Sequence, residues 1–189
     1  FEKPADYERV NVRGTALLLD AARKAGVRRV VFSSTCAVYG DTTDLPIAET
    51  APTKPMSPYA ANKLAAEELG RKAAATGGPA FTALRYFNVY GPRQDPRSAY
   101  SGVITRFSHV VAKNLSPTIY GDGSQTRDFV FVGDVANANL LAACHVSGAS
   151  AIYNVGTNIE TSIRDLWRLI AQARGAKQEP QFLPARSGD

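Results

Sequence analysis

Arg29-Val30-Val31-Phe32-Ser33 decides the architecture. Two β-branched residues and an aromatic stand together without the polar alternation of a half-solvated strand, so the run predicts a short parallel strand covered on both faces. Upstream, residues 6–25 predict a helix from the stripe Leu17-Leu18-Ala21-Ala22, with Gly26 as its stop. Downstream come Ser34 to Gly40, a polar, proline-bearing loop to Pro58, a helix over 59–75, the breaker Gly77-Gly78-Pro79 and a second strand over 81–86. Helix, strand, helix, strand with short connections is the pattern of an α/β protein with a doubly wound parallel sheet, whose ligands lie beyond the carboxyl ends of the strands. Ser33-Ser34-Thr35 and Tyr86-Phe87-Asn88 fall at two such ends. After Gly91-Pro92 the texture changes: a loop to Gly102, a helix over 103–113, strands over 118–120 and 128–132, a helix over 134–145, a strand over 151–155, a helix over 161–174 and an extended stretch at 180–184. The boundary is expected near Tyr90, dividing residues 1–90 from a smaller α/β region at 91–189 that is interleaved with the sheet.

Composition narrows the function classes. With 189 residues and 44% hydrophobic content, the chain has the material for one good core or part of a larger one. No charged and apolar leader pattern follows Phe1, and no uncharged apolar run approaches the roughly 18 residues of a membrane span. Cys36 and Cys144 stand far apart without metal-ligand spacing, which suits a reducing compartment; a cytoplasmic protein is expected. The net charge of +5 is dispersed, which fits ordinary solvated arginines or a liking for phosphate-bearing small molecules; with no basic run interleaved with aromatics, nucleic acid is not expected. His109 and His145 lack partners at ligand spacing, and no metal is expected.

Tyr59-Ala60-Ala61-Asn62-Lys63 opens the 59–75 helix behind Ser57 as cap and Pro58 in the first turn. Four residues make one turn, so the Tyr59 phenol and the Lys63 ammonium share a face. A nearby cation favours phenolate, which predicts a lowered Tyr59 pKa and a tyrosine able to move protons to and from a hydroxyl. By itself the spacing also occurs by chance in surface helices.

Four blocks in this order resemble the extended short-chain dehydrogenase/reductase family, and within it the nucleotide-sugar 4-epimerases of the UDP-glucose 4-epimerase type. They are Phe32-Ser33-Ser34-Thr35-Cys36-Ala37-Val38-Tyr39-Gly40, Tyr59-x-x-x-Lys63, Leu84-Arg85-Tyr86-Phe87-Asn88-Val89-Tyr90-Gly91-Pro92, and Tyr120-Gly121-Asp122-Gly123 through Arg127-Asp128-Phe129. The resemblance covers essentially the whole chain. It implies a Rossmann-like sheet, NAD as cofactor, a UDP-sugar as substrate and a homodimer in the complete protein, built on the 6–25 and 59–75 helices. The family opens with a strand and a Gly-x-x-Gly-x-x-Gly turn that holds the pyrophosphate; nothing here matches it, since Gly14 has no glycine three or six residues away. The expectation is a fragment without the first strands and the extreme C-terminus, unable by itself to hold NAD or to turn over substrate.

Residue by residue, the resemblance implies that Thr35 hydrogen-bonds the reacting sugar oxygen, that Tyr59 is the acid/base, and that Lys63 holds the nicotinamide ribose. Ser33 and Tyr86 would lie against the cofactor, although a buried strand-end aromatic is the alternative for Tyr86. Asn88, Arg127 and Arg186 would grip the diphosphate, where guanidinium forks suit phosphate oxygens. Tyr120 would lie against the uracil or serve as a core aromatic. Asn11, in Asn11-Val12-Arg13-Gly14-Thr15, is a structural position. The reaction implied is C4 epimerisation through a 4-keto sugar, most simply of UDP-glucose and UDP-galactose; UDP-N-acetylhexosamines or UDP-uronates are alternatives, and a non-catalytic nucleotide-sugar-binding relative is the reading from another class. Dehydratases of the family place Asp-Glu after the threonine and decarboxylases a Glu in this loop, whereas Cys36 and Ala37 supply no carboxylate.

Overall fold

The computed structural model describes residues 4–98, 101–144, 147–148 and 150–185. They form two compact units: Phe1–Phe87 with Val135–Val155, and Asn88–Asp134 with Gly156–Asp189.

The first unit is built on a three-stranded parallel sheet in the order β1 (Arg29–Thr35), β2 (Ala80–Tyr86), β7 (Ser150–Val155). Its register sets Ser34 beside Arg85, Thr35 beside Tyr86, and Arg85 beside Asn154, so the polar residues ending each strand gather at one edge. β1 runs two residues further than the apolar run predicts, because Ser34 and Thr35 continue the ladder with β2. Cys36–Tyr39 then turns as a 3-10 helix, ended by Gly40 at φ +72°, where a side chain would meet the Lys54 carbonyl.

α3 (Pro58–Ala75) starts as the sequence predicts: the Ser57 hydroxyl accepts from Ala60 N at 3.2 Å, and Pro58 occupies the first turn. It lies close on β2 through Gly70, whose missing Cβ would stand 2.2 Å from the Phe81 ring. Phe81, Ala83 and Leu19 form the buried core here, with Phe32 stacked on Phe81 at 5.8 Å between ring centroids. Fully burying a phenylalanine contributes about 1.5–3 kcal/mol.

The helix expected over 6–25 is three segments: α1 (Pro4–Glu8), a π-helical turn at Arg9–Arg13, and α2 (Gly14–Lys24). In the π-turn stretch, Asn11 Nδ2 donates to Tyr7 O and Thr15 Oγ1 to Asn11 O. Of the predicted stripe only Ala22 is buried. Leu19 and Ala22, three apart, are buried, while Leu17 and Leu18 are 64% and 55% exposed. A window so rich in leucine and alanine supports more than one apolar face, and the sheet selects between them.

The second unit carries the parallel pair β3 (Asn88–Tyr90) with β6 (Phe129–Phe131), the parallel pair β4 (Thr118–Tyr120) with β9 (Gln181–Leu183), and the antiparallel pair β5 (Thr126–Arg127) with β8 (Thr161–Ser162). Its core joins α4 (Val103–Ala112) to α6 (Ile163–Arg174) through Phe107 and Trp167, edge-on at 5.9 Å, with Val111, Ile119 and Leu166. The strand expected over 128–132 ends at Phe131 and the next helix, α5 (Val132–Cys144), starts earlier than residue 134. The helix expected from Thr161 begins instead at Ile163, capped by Ser162, because Thr161 and Ser162 pair with β5. No described helix is long and apolar enough to cross a membrane.

Candidate functional site

Three side chains predicted to act together meet in the first unit at the carboxyl ends of β1 and β2. Tyr59 and Lys63 lie one turn apart on α3, and the Lys63 ammonium stands 5.8 Å from the centre of the Tyr59 ring and 4.9 Å from that of Phe32. Lys63 Nζ donates to the Ser33 carbonyl at 2.9 Å, which pins the lysine to the end of β1. The Thr35 side chain accepts from Ala37 N at 3.2 Å, capping the 3-10 helix, and is near enough to the Tyr59 phenol to draw its pKa down. Ser33 Oγ is 3.0 Å from the Tyr86 hydroxyl, joining two further predicted residues.

Electrostatics differ from expectation. Burial raises the Tyr59 pKa above its ordinary value; the neighbouring Thr35 side chain pulls it down and Cys36 adds a smaller upward push. Burial likewise lowers the Lys63 pKa. The lowering of Tyr59 by Lys63 expected from helical spacing does not emerge, because the ammonium is directed to a backbone carbonyl and desolvation of the phenol outweighs what remains.

In the second unit, Asn88, Tyr120 and Arg127 line one cavity of about 810 Å³, together with Arg97, Arg106 and His109. Among the described residues that line it there is no carboxylate, so it favours an anion. Asn88 is fixed at one wall, its Nδ2 donating to Asp128 O at 3.1 Å, and Arg127 Nη1 donates to Thr126 O at 2.8 Å. Arg186, the third predicted diphosphate ligand, lies outside the described residues.

The α/β fold with its parallel sheet agrees with that of known proteins. The sequence profile of the NAD dependent epimerase/dehydratase family matches residues 1–156. The chain belongs to this family. It is 45% identical over 181 residues to the UDP-glucose 4-epimerase of Mycolicibacterium smegmatis, covering 95% of this chain and 57% of that protein. Among solved structures, the UDP-N-acetylglucosamine 4-epimerase of Methanobrevibacter ruminantium in complex with UDP-N-acetylmuramic acid superposes with a TM-score of 0.95 at 36% identity, covering 99% of this chain and 60% of that one. The UDP-glucose 4-epimerase of Thermus thermophilus in complex with NAD gives 0.85 at 41% identity, covering 95% of this chain and 59% of that one. This chain therefore spans about three-fifths of the length of the relatives it matches.

NAD is the cofactor of the family, and the donor set of the first unit fits its nicotinamide-ribose end. An ammonium with one of its three N–H groups on Ser33 O, one helical turn from the Tyr59 phenol, is suited to a ribose diol. The sequence has no glycine-rich turn of the kind that holds a pyrophosphate.

Sequence reasoning missed several members of these constellations. Asn139 on α5 donates its Nδ2 to the Tyr86 hydroxyl at 2.8 Å and to Val135 O at 2.7 Å, fixing the phenol from a distant part of the chain. No local spacing announces it. Arg97, in a loop, and Arg106 and His109, on α4, carry no signal beyond their charge. Among the described residues no group of His, Cys, Asp or Glu could hold a metal ion, and no disulfide joins Cys36 to Cys144.

Proposed function

We propose that the full-length protein interconverts UDP-sugars at C4, with UDP-glucose and UDP-galactose as the leading pair and UDP-N-acetylhexosamines or UDP-uronates as the alternative. The observation that carries the reading is the Thr35–Tyr59–Lys63 arrangement: a phenol whose pKa a neighbouring threonine side chain draws down, one turn from an ammonium pinned to Ser33 O. A pure binding module has no use for such an acid/base group.

A carbon that bears no acidic proton must be oxidised before it can be inverted. Tyr59 takes the proton from the 4-hydroxyl and later returns it, Thr35 holds the reacting oxygen, and Lys63 and Ser33 position the ribose beside Tyr86. Bound NAD supplies the reversible acceptor for the hydrogen leaving C4. Asn88, Arg127 and Tyr120 hold the nucleotide, so the 4-keto sugar can present its other face while the anchor stays. Cys36 and Ala37 offer no carboxylate beside Thr35, which disfavours elimination. We further propose a homodimer through α2 and α3, supported by the exposed Leu17 and Leu18, with a cytoplasmic location.

The test is NMR of UDP-glucose incubated with the full-length protein. A galacto epimer supports the reading. A 4-keto-6-deoxy product would replace it with a dehydratase, and no turnover of any UDP-sugar despite tight binding would favour the non-catalytic relative.

A further inference from the structure

Glu67, Arg85 and Ser34 form a buried polar cluster that no step above uses. Glu67 is 4%, Arg85 3% and Ser34 3% exposed. Arg85 grips the carboxylate with both arms of its fork, Nη2 to Oε2 at 2.7 Å and Nε to Oε1 at 3.1 Å, and the Ser34 hydroxyl donates to the same Oε1. Arg85 Nη1 reaches Glu49 O at 3.3 Å, and its guanidinium lies 4.8 Å from the centre of the Tyr39 ring. Tyr39 in turn donates to Asn154 on β7 at 2.7 Å.

Position in the chain gives the cluster its meaning. Glu67 follows Lys63 by one helical turn and Tyr59 by two, so the three share a face of α3. Ser34 stands between Ser33, whose carbonyl holds Lys63, and Thr35, whose side chain draws down the Tyr59 pKa. Arg85 precedes Tyr86, which meets Ser33. A bidentate charged pair resists sliding far more than apolar packing does, and burial commonly offsets its contribution to stability.

We propose that Glu67 and Arg85 are positioning residues, clamping α3 to the ends of β1 and β2 so that Thr35 and the Ser33 carbonyl are held in register with Tyr59 and Lys63. The proposal deepens the functional reading and rests on it for the role of Tyr59, but its test reads the tyrosine directly. Because the Thr35 side chain at the end of β1 draws the Tyr59 pKa down, loosening that end weakens its influence and moves the Tyr59 titration upward.

The experiment uses the full-length protein and its Ser34→Ala variant, which removes one hydroxyl and leaves the ion pair. Tyr59 is followed by 13Cζ-tyrosine NMR across alkaline pH, assigned through Tyr59→Phe, with thermal unfolding and kinetics in parallel. The expected result is a thermal midpoint within about 4 °C of wild type, a Tyr59 titration moved upward, and a kcat lower by about tenfold to a hundredfold with KM within about twofold. A second variant, Glu67→Leu/Arg85→Met, exchanges the pair for apolar side chains of similar bulk and should fold with the same upward movement. An unmoved Tyr59 titration in a folded variant overturns the proposal whatever the kinetics. Loss of folding in both variants assigns the cluster to stability alone and overturns it too. An upward titration in a protein that turns over no UDP-sugar supports the clamp and counts against the functional reading instead.

Discussion

Tyr59→Phe in the full-length protein separates chemistry from packing. The change deletes one hydroxyl from a residue that is 37% exposed and whose phenol is influenced by the neighbouring Thr35 side chain. Even the loss of a whole hydrogen bond would cost about 0.5–1.5 kcal/mol of stability, which moves the melting temperature of a protein of this size by roughly 1–6 °C. The ring remains, and Lys63 keeps its anchor on Ser33 O, so the cofactor side is not dismantled. Loss of the proton-transfer group should lower kcat about a hundredfold to ten-thousandfold, a barrier increase of roughly 3–5 kcal/mol. The barrier term exceeds the stability term severalfold, so the two cannot be confused. KM should stay within about twofold, because Asn88, Tyr120 and Arg127 are untouched. Steady-state kinetics beside calorimetric melting is the assay. A variant that melts like wild type and keeps most of its kcat would refute the assignment and leave Tyr59 as a packed surface tyrosine.

Arg127→Ala should mainly raise KM, since a diphosphate contact present in both ground and transition states is lost; an unchanged KM with a large fall in kcat would refute that placement. Gly70→Ala should destabilise by about 1–3 kcal/mol, because its Cβ would stand 2.2 Å from a Phe81 ring that is 1% exposed; denaturant unfolding checks whether this outweighs the ~1 kcal/mol helix-propensity gain from alanine. The pKa directions predict opposite stability contributions. The raised Tyr59 stabilises fully below about pH 10 and loses that contribution as pH rises through its folded value, whereas the lowered Lys63 contributes above its ordinary value near ~10.4 and loses it as pH falls through its folded value. Relative to wild type, Tyr59→Phe should therefore lose less stability above about pH 10, and Lys63→Met should flatten the rise just below about pH 10.4; parallel pH-dependent melts that never diverge would contradict both.

Much of this was legible because the deciding signals are local. The apolar run 30–32 and the Ser57-Pro58 helix start state their own structure, and Tyr59 and Lys63 share a face by spacing alone. Asn88, Tyr120 and Arg127, separated in sequence, line one cavity. What remained hidden depends on partners far along the chain. Leu17 and Leu18 looked like a core face until the sheet chose Leu19 and Ala22. Thr161 and Ser162 looked like helix until β5 paired with them. Arg85, inside an apparently apolar strand, is explained only by Glu67 eighteen residues earlier. The Tyr59 pKa was misjudged for the same reason: spacing shows a cation nearby, but only the fold shows where that cation points.

The central claim is that C4 is oxidised and reduced again within one active site. UDP-glucose labelled with deuterium at C4, incubated with the full-length protein in ordinary water, tests it most directly by NMR and mass analysis of the product. The account predicts inversion at C4 with the deuterium retained on that carbon. Inversion with the label exchanged for solvent hydrogen, or a deoxygenated sugar in place of the epimer, would contradict it.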